Sequence, residues 1–443
     1  MMTKRLLTAC ACLLVAASTA HAQQPYNVAV RVDQLARIFA DLYGPDGLVV
    51  DSTAALAGGS SHSGHFKGGF ESEFSQFGTA LTNQLVSLPY PTPAAGFTYQ
   101  FDPALGVFSR STSSFGPILS ERAETIGARR LSFGFATQRL TFDTIEGLDL
   151  DAVPAVFQHE KAELLGGRED VITTTNSVEA TVTRSTAFFS YGVTSRFDLS
   201  VAVPIVTTNM LVTSHAKIRR LGTTESQIHF FRMEDDSVGD ERIYTAFGSA
   251  TGVGDVNIRG KLTLRRTKNM GLAAGVDVKL PTGDEMNLLG TGATAVQPYA
   301  VWSGSVGPFS PHVNVGYRWN GSSVLAVDPA AGQARDLGDV AIYSAGGALE
   351  VHPRLTLAID VLGRVMLEAP RLSRTTFFGL DAARTNFPDI AFSRRTLHEV
   401  SAATGFKLNI ADRLLVTGNL LFQVNAAGLR DKVSPLLGLE YAF

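Results

Sequence analysis

Read backwards from the carboxy-terminus, Phe443, Tyr441, Leu439 and Leu437 fall on one face of the chain, and Ala442, Glu440 and Gly438 on the other. Apolar residues at every second position specify a strand, because successive side chains on an extended backbone point to opposite sides. The alternation recurs along the sequence. Phe197, Leu199, Val201, Val203 and Ile205 share a face, as do Leu355, Leu357, Ile359 and Val361. Leu414, Val416, Leu420, Phe422 and Val424 repeat it, opposite a mixed face of Leu415, Thr417, Asn419, Leu421 and Gln423. Each of these three runs follows a tight turn carrying an arginine: Arg196, Arg354 or Arg413. A chain built this way is all-β.

Hydrophobic residues make up 45% of the chain and charged residues only 18%. Beyond the amino-terminus, no uncharged apolar run approaches the ~20 residues that a membrane helix needs. A chain that is apolar overall but never continuously so is what strands between lipid and lumen produce. A large secreted β-sandwich has the same period, but the regular hairpins and the final Phe443 favour a barrel. Tight turns alternate with longer connections near 143–175, 209–253, 282–292, 321–338, 368–393 and 426–434. Short turns belong to the periplasmic end of such a barrel and long loops to the outside. Twelve strands are expected, near 130–142, 176–193, 196–208, 254–264, 271–281, 293–303, 308–320, 339–351, 355–366, 394–410, 414–425 and 436–443. Pro204, Pro298 and Pro311 lack a ladder donor, so bulges are expected there. The faces of 293–303 stay open.

Met1-Met2-Thr3-Lys4-Arg5, an apolar core over Leu6 to Ser18 and Ala20-His21-Ala22 read as a signal peptide cleaved after Ala22. Removing Lys4 and Arg5 takes the formal charge from -3 to -5, which implies no nucleic-acid partner. Cys10 and Cys12 both lie in this segment, leaving no disulfide or thiolate site in the mature chain. Residues 23–129 break the barrel rhythm. Leu35, Ile38, Phe39 and Leu42 recur at helical spacing within Asp33 to Tyr43. Tyr99 and its neighbours pair with Val107 to Arg110 as a small hairpin, and Pro117 to Ala123 reads as one or two helical turns. The organisation is therefore a signal peptide (1–22), an N-terminal segment (23–129) and a barrel (130–443). The middle part is a lumen plug, a periplasmic segment, or the source of a hairpin that raises the strand count to fourteen.

A strand ending on Tyr441 and Phe443 resembles the terminal signal of bacterial outer-membrane barrels, which their assembly machinery reads. The runs GVGDVNIRGKLTL (252–264) and GLAAGVDVKLPTGDEMNLLGTG (271–292) carry a second resemblance. A Gly-x-Gly-Asp strand start, a hairpin, then Leu-Pro-Thr-Gly-Asp and Gly-Thr-Gly resemble the outer-membrane transporter family named for the meta-cleavage pathway of phenol degradation. That family is distantly similar to the fatty-acid and toluene transporters. The resemblance covers 190–320 most clearly. It implies an outer-membrane barrel passing small apolar or aromatic solutes, with no catalytic residues to carry over. The glycines and Pro281 equally suit simple loop-to-strand turns.

Charges on the lipid face would cost ~2–4 kcal/mol each at the midplane, so they belong inside. The inward candidates are Arg184, Arg259, Lys261, Asp277, Lys279, His312, Arg318, Asp360, Arg364 and Lys407. They select solutes, or they serve only to solvate the lumen. Ser61-His62-Ser63-Gly64-His65 offers hydroxyls beside imidazoles, but nothing in this Gly/Ser-rich loop fixes a nucleophile against a base. The same histidines lack a third ligand for a metal. Glu234-Asp235-Asp236 with Asp240-Glu241 lacks the oxygen spacing of a calcium loop. The expectation is a non-enzymatic channel without cofactor or metal, whose partners are outer-membrane lipid, the assembly machinery and a small solute. A structural or surface-interaction barrel is the alternative, and an outer-membrane hydrolase the third reading.

Overall fold

The structure is a computed structural model describing residues 26–43, 48, 50, 66, 96–102, 107–110, 114–158, 170–221, 229–235, 237–327, 334–411 and 413–443. The signal-peptide reading at 1–22, the Ser61-to-His65 run and Asp236 lie outside the described residues. Twelve strands close into an antiparallel ring. They are β1 (Leu131–Phe142), β2 (Val171–Gly192), β3 (Phe197–Arg219), β4 (Asn257–Arg266), β5 (Met270–Lys279) and β6 (Ala295–Gly304). They continue as β7 (Phe309–Asn320), β8 (Val340–His352), β9 (Leu355–Phe378), β10 (Asn386–Ala411), β11 (Leu414–Gln423) and β12 (Val433–Ala442). The last strand closes on the first, from Leu436 opposite Gln138 to Ala442 opposite Ser132.

Closure leaves the ring no free edge, and its outer face is a lipid-facing belt. Phe189, Leu199, Ile205, Val315, Ile359 and Leu437 are all exposed on it, while their strand neighbours turn inward. On β6 the phase left open resolves with Tyr299, Val301 and Ser303 inside and Trp302 outside. Pro204, Pro298 and Pro311 keep their register, and the shifts fall at 263/265, 350/352, 366/369 and 409/411 instead. Pro204 sits where β3 changes partners, and Pro298 where the ladder to β7 skips two pairs. At such positions no donor is required.

Two hairpins rise well above the ring. Strands β2, β3, β9 and β10 have 22, 23, 24 and 26 residues, against the ~9–11 that cross a membrane. The connections expected at 209–253 and 368–393 are therefore largely strand. The lower part of β3 pairs with β4 over Phe197–Ala202, and its upper part pairs with a strand at Glu241–Val253. Above the belt the alternation inverts, with the outer face polar and the inner face apolar.

The inner face is covered by the N-terminal segment. Asn27–Arg31 adds a parallel strand to Ile243–Phe247. The helix expected over 33–43 is shorter, a 3-10 turn at Leu35–Arg37 followed by Ile38–Asp41. Leu35, Ile38, Phe39 and Leu42 are buried as the spacing required, packed with Val178, Val212, Ala216 and Ala246. Tyr99–Asp102 and Val107–Arg110 pair as their own two-stranded sheet outside the ring, so the barrel has twelve strands and not fourteen.

Candidate functional site

Residues 114–130 form an irregular strap across the lumen, not the helical turns expected over 117–123. A helix would spend its backbone groups on itself. Here lumen side chains take them, which is how non-regular backbone is accommodated at membrane depth. The amide of Phe115 donates to Thr356 Oγ1 (3.0 Å), and its carbonyl accepts from Lys407 Nζ (3.2 Å). Asn314 clamps Glu121 from both sides, accepting from its amide at 2.7 Å and donating to its carbonyl at 3.0 Å. Ser303 and Thr263 hold Ala123 in the same manner, at 2.8 and 2.7 Å. The amide of Ile126 reaches Asp198 Oδ2 at 2.9 Å.

Charges repeat the pattern. Arg259 makes a bidentate pair with Asp277 on the neighbouring strand, 2.5 Å for each contact, and also bonds the carboxylate of Glu121 from the strap. The other oxygen of Glu121 accepts from Lys261 at 3.1 Å. Deeper round the ring, Asp360 joins His312 Nε2 (2.5 Å) to Ser120 Oγ (3.0 Å). Lys261, Asp360 and Lys407 thus hold the strap, and His312 bonds Asp360 from behind. Arg184 instead donates to Gln138 on β1 at 2.8 Å, and Lys279 lies 3.9 Å from Asp255.

Above the strap lies a cavity of about 170 Å³, floored by Leu119 and Glu121 and bounded outward by Phe142 and Leu429 to Asp431. Its walls are of two kinds. Leu140, Ile342, Leu362 and Leu421 give an apolar side. Arg259 with Asp277, Arg364 with Glu399, and Arg318 with Gln297 (2.9 Å) give a polar one. At the outer rim, burial pushes the Arg430 guanidinium down to about 10 against the opposing pull of Glu399, so it stays charged at neutral pH. Of the ten expected lumen residues, Arg259, Asp277, Arg318 and Arg364 meet at this cavity. Glu121 and Arg430 complete it from segments read as helix and loop. A signal for Glu121 existed, since Glu121 and Arg122 are adjacent charges just before the first strand.

The Gly-x-Gly-Asp run has a structural explanation. Gly254 and Asp255 occupy the break between the Glu241–Val253 strand and β4. There the Asp255 carboxylate accepts from the amides of Gly283 (3.1 Å) and Thr291 (2.9 Å) and from the Thr291 hydroxyl (2.8 Å). A Cβ at Gly290 would stand 2.3 Å from that carboxylate. The motif pins the loop 280–294 over the break. Among the described residues, no group of three His, Cys, Asp or Glu side chains could hold a metal.

Residues 164–359 match the family described as "Putative MetA-pathway of phenol degradation", which bears out the resemblance over that stretch. No curated protein sequence matches the chain. Among solved structures it is similar to an outer-membrane channel from Pseudomonas putida F1 (14% identity, TM-score 0.44, 73% of this chain and 99% of that one). It is also similar to the P. putida toluene transporter TodX (10%, 0.29, 71% and 89%). A Pseudomonas aeruginosa FadL homologue gives the same four values. These likenesses are too distant to carry an argument, and the barrel rests on its own strand pairing.

Proposed function

We propose that this protein is an outer-membrane channel for small apolar or aromatic solutes, which pass through the cavity above the strap. The observation that supports this most is the two-sided wall inside a closed barrel. A ring-sized apolar body can lie against Leu140, Leu362 and Leu421 while a polar substituent meets Arg318 or Arg364. Ligand sites of this kind combine apolar walls with a few placed polar groups. The family matched over 164–359 is described by phenol degradation, which agrees with aromatic cargo.

In this reading, 1–22 export the chain and are removed after Ala22, 23–129 form an N-terminal segment whose residues 114–129 plug the lumen, and 130–443 form the barrel. The assembly machinery reads Tyr441 and Phe443, and no enzymatic step is involved. Uptake by cells carrying or lacking the protein tests the proposal, with a small aromatic solute at limiting concentration and a sugar of similar size as control. Faster uptake of the aromatic alone is expected. Equal uptake in both strains would leave a structural barrel.

A further inference from the structure

The outer face of the tall hairpin carries a pattern that solute passage does not use. Above the belt, the outward residues are the odd-numbered positions of 173–183, 207–217 and 241–251. Eleven of these eighteen are Thr, Ser or Asn, and only Glu179, His215, Lys217 and Glu241 are ionisable. Three of those four are already engaged, because Glu241 bonds both Lys217 and His215. A sheet face kept soluble by charge alone would carry more of them.

The hydroxyls and amides are ordered in cross-strand rungs. Thr207 meets Thr251 at 2.9 Å, Asn209 meets Ser249 at 2.6 Å, and Thr245 reaches Asn27 at 2.9 Å. Among them stands Phe247, opposite Leu211 in the ladder and 43% exposed. A hydroxyl both donates and accepts, so each rung keeps capacity for an outside partner. An exposed aromatic ring offers a flat apolar face. Hydroxyl and amide groups around one exposed ring are complementary to a sugar, whose C–H face stacks while its hydroxyls bond.

The position of this face identifies the source of the sugar. It continues without interruption from the lipid belt on the same strands, above Ala187, Ile205 and Val253. Outward residues are ~6.7 Å apart along a strand, so six of them on a strand tilted ~40° rise roughly 25 Å beyond the hydrocarbon. That height is the sugar layer of an outer leaflet built from glycolipid. We propose that this face docks the saccharides of the membrane's own glycolipids, with one ring stacked on Phe247. The inference rests on the outer-membrane reading above.

The test uses the full chain in bilayers containing either full-length lipopolysaccharide or its sugar-free lipid anchor. The unfolding midpoint is read by heat-modifiability, and conductance is recorded in the same bilayers. The sugar-bearing lipid is expected to raise the midpoint by several degrees over the anchor. Phe247→Ser should abolish that difference. Thr213→Val with Thr245→Val should also abolish it, while keeping strand-favouring shape and an unchanged midpoint on the anchor. Equal midpoints for the unaltered protein, or a difference that survives in both variants, overturns the docking. Stabilisation by free oligosaccharide on the anchor bilayer assigns the face to soluble polysaccharide, and also overturns it. A conducting barrel without sugar dependence sinks this inference alone. Failure to enter any bilayer sinks the channel reading with it.

Discussion

Glu121, on the strap, bonds Arg259 and Lys261, two residues apart on one barrel strand, each through a separate carboxylate oxygen. All three are shielded from solvent, and Arg259 keeps a second acid in Asp277. Removing one partner of a buried pair costs ~3–5 kcal/mol when nothing else compensates the charge left behind. In Glu121→Gln the loss falls mainly on Lys261, because Asp277 still neutralises Arg259. The strap should loosen while the ring persists. Single-channel recordings are expected to show larger or longer openings, with heat-modifiability retained. Unchanged conductance in an inserted barrel would show that this contact does not hold the strap.

Gly192 and Gly127 set the strap's exit. A Cβ at Gly192 would stand 1.8 Å from the carbonyl oxygen of Gly127, and Gly127 itself has φ +105°, where side chains are strained. The Gly192→Ala chain must therefore move the strap, since the opposing atoms are backbone. Arg129 and Gly192 would then lose their 2.6 Å amide-to-carbonyl bond. Protease sensitivity within 114–130 is expected to rise, and a cleavage pattern identical to the unaltered protein would refute the prediction.

Much of the ring was legible because lipid imposes a hard rule on one face. Ile359 is 60% exposed and Asp360 1%, as their alternation requires. The rule stops at the membrane surface. Above it, Asn209 and Thr213 face water while Met210 and Val212 face the interior, so the segment read as a loop is strand with its polarity inverted. The strap was illegible for another reason. Its conformation is set by Thr356, Asn314 and Ser303, each at least 180 residues away, and local spacing carries no trace of them.

Ile359→Arg places a charge on the lipid face, a cost of ~2–4 kcal/mol near the midplane. Ile359→Phe keeps the face apolar. The first variant should reach the outer membrane in reduced amount and the second at the normal level, as measured by heat-modifiability of membrane fractions. Equal amounts of both would contradict the assignment of this face to lipid.

Asp255→Ala removes one carboxylate that accepts three hydrogen bonds from Gly283 and Thr291. A buried donor left unsatisfied costs ~1–3 kcal/mol. The loop 280–294 should detach before the ring unfolds. Proteolysis of intact cells is expected to cut the variant within that loop and spare the unaltered chain. Resistance in both would make the motif dispensable for loop anchoring.

The final prediction separates the strap from the rest of the N-terminal segment. Every strand of the ring begins at or after Leu131, so closure needs nothing upstream. Deleting 27–95 with residues 1–26 kept removes the parallel strand at Asn27–Arg31 and the buried Leu35, Ile38, Phe39 and Leu42, but keeps 114–130. The strand at Glu241–Val253 then becomes an open edge above the membrane and should gain protease sensitivity. Conductance should change little, because the strap still floors the cavity. Deleting 27–126 removes the strap as well, and a twelve-stranded ring is wide enough to leave space beyond its own side chains. The longer deletion is therefore expected to raise conductance sharply over the shorter one. Equal conductance in two correctly inserted variants would show that the strap is not what restricts passage.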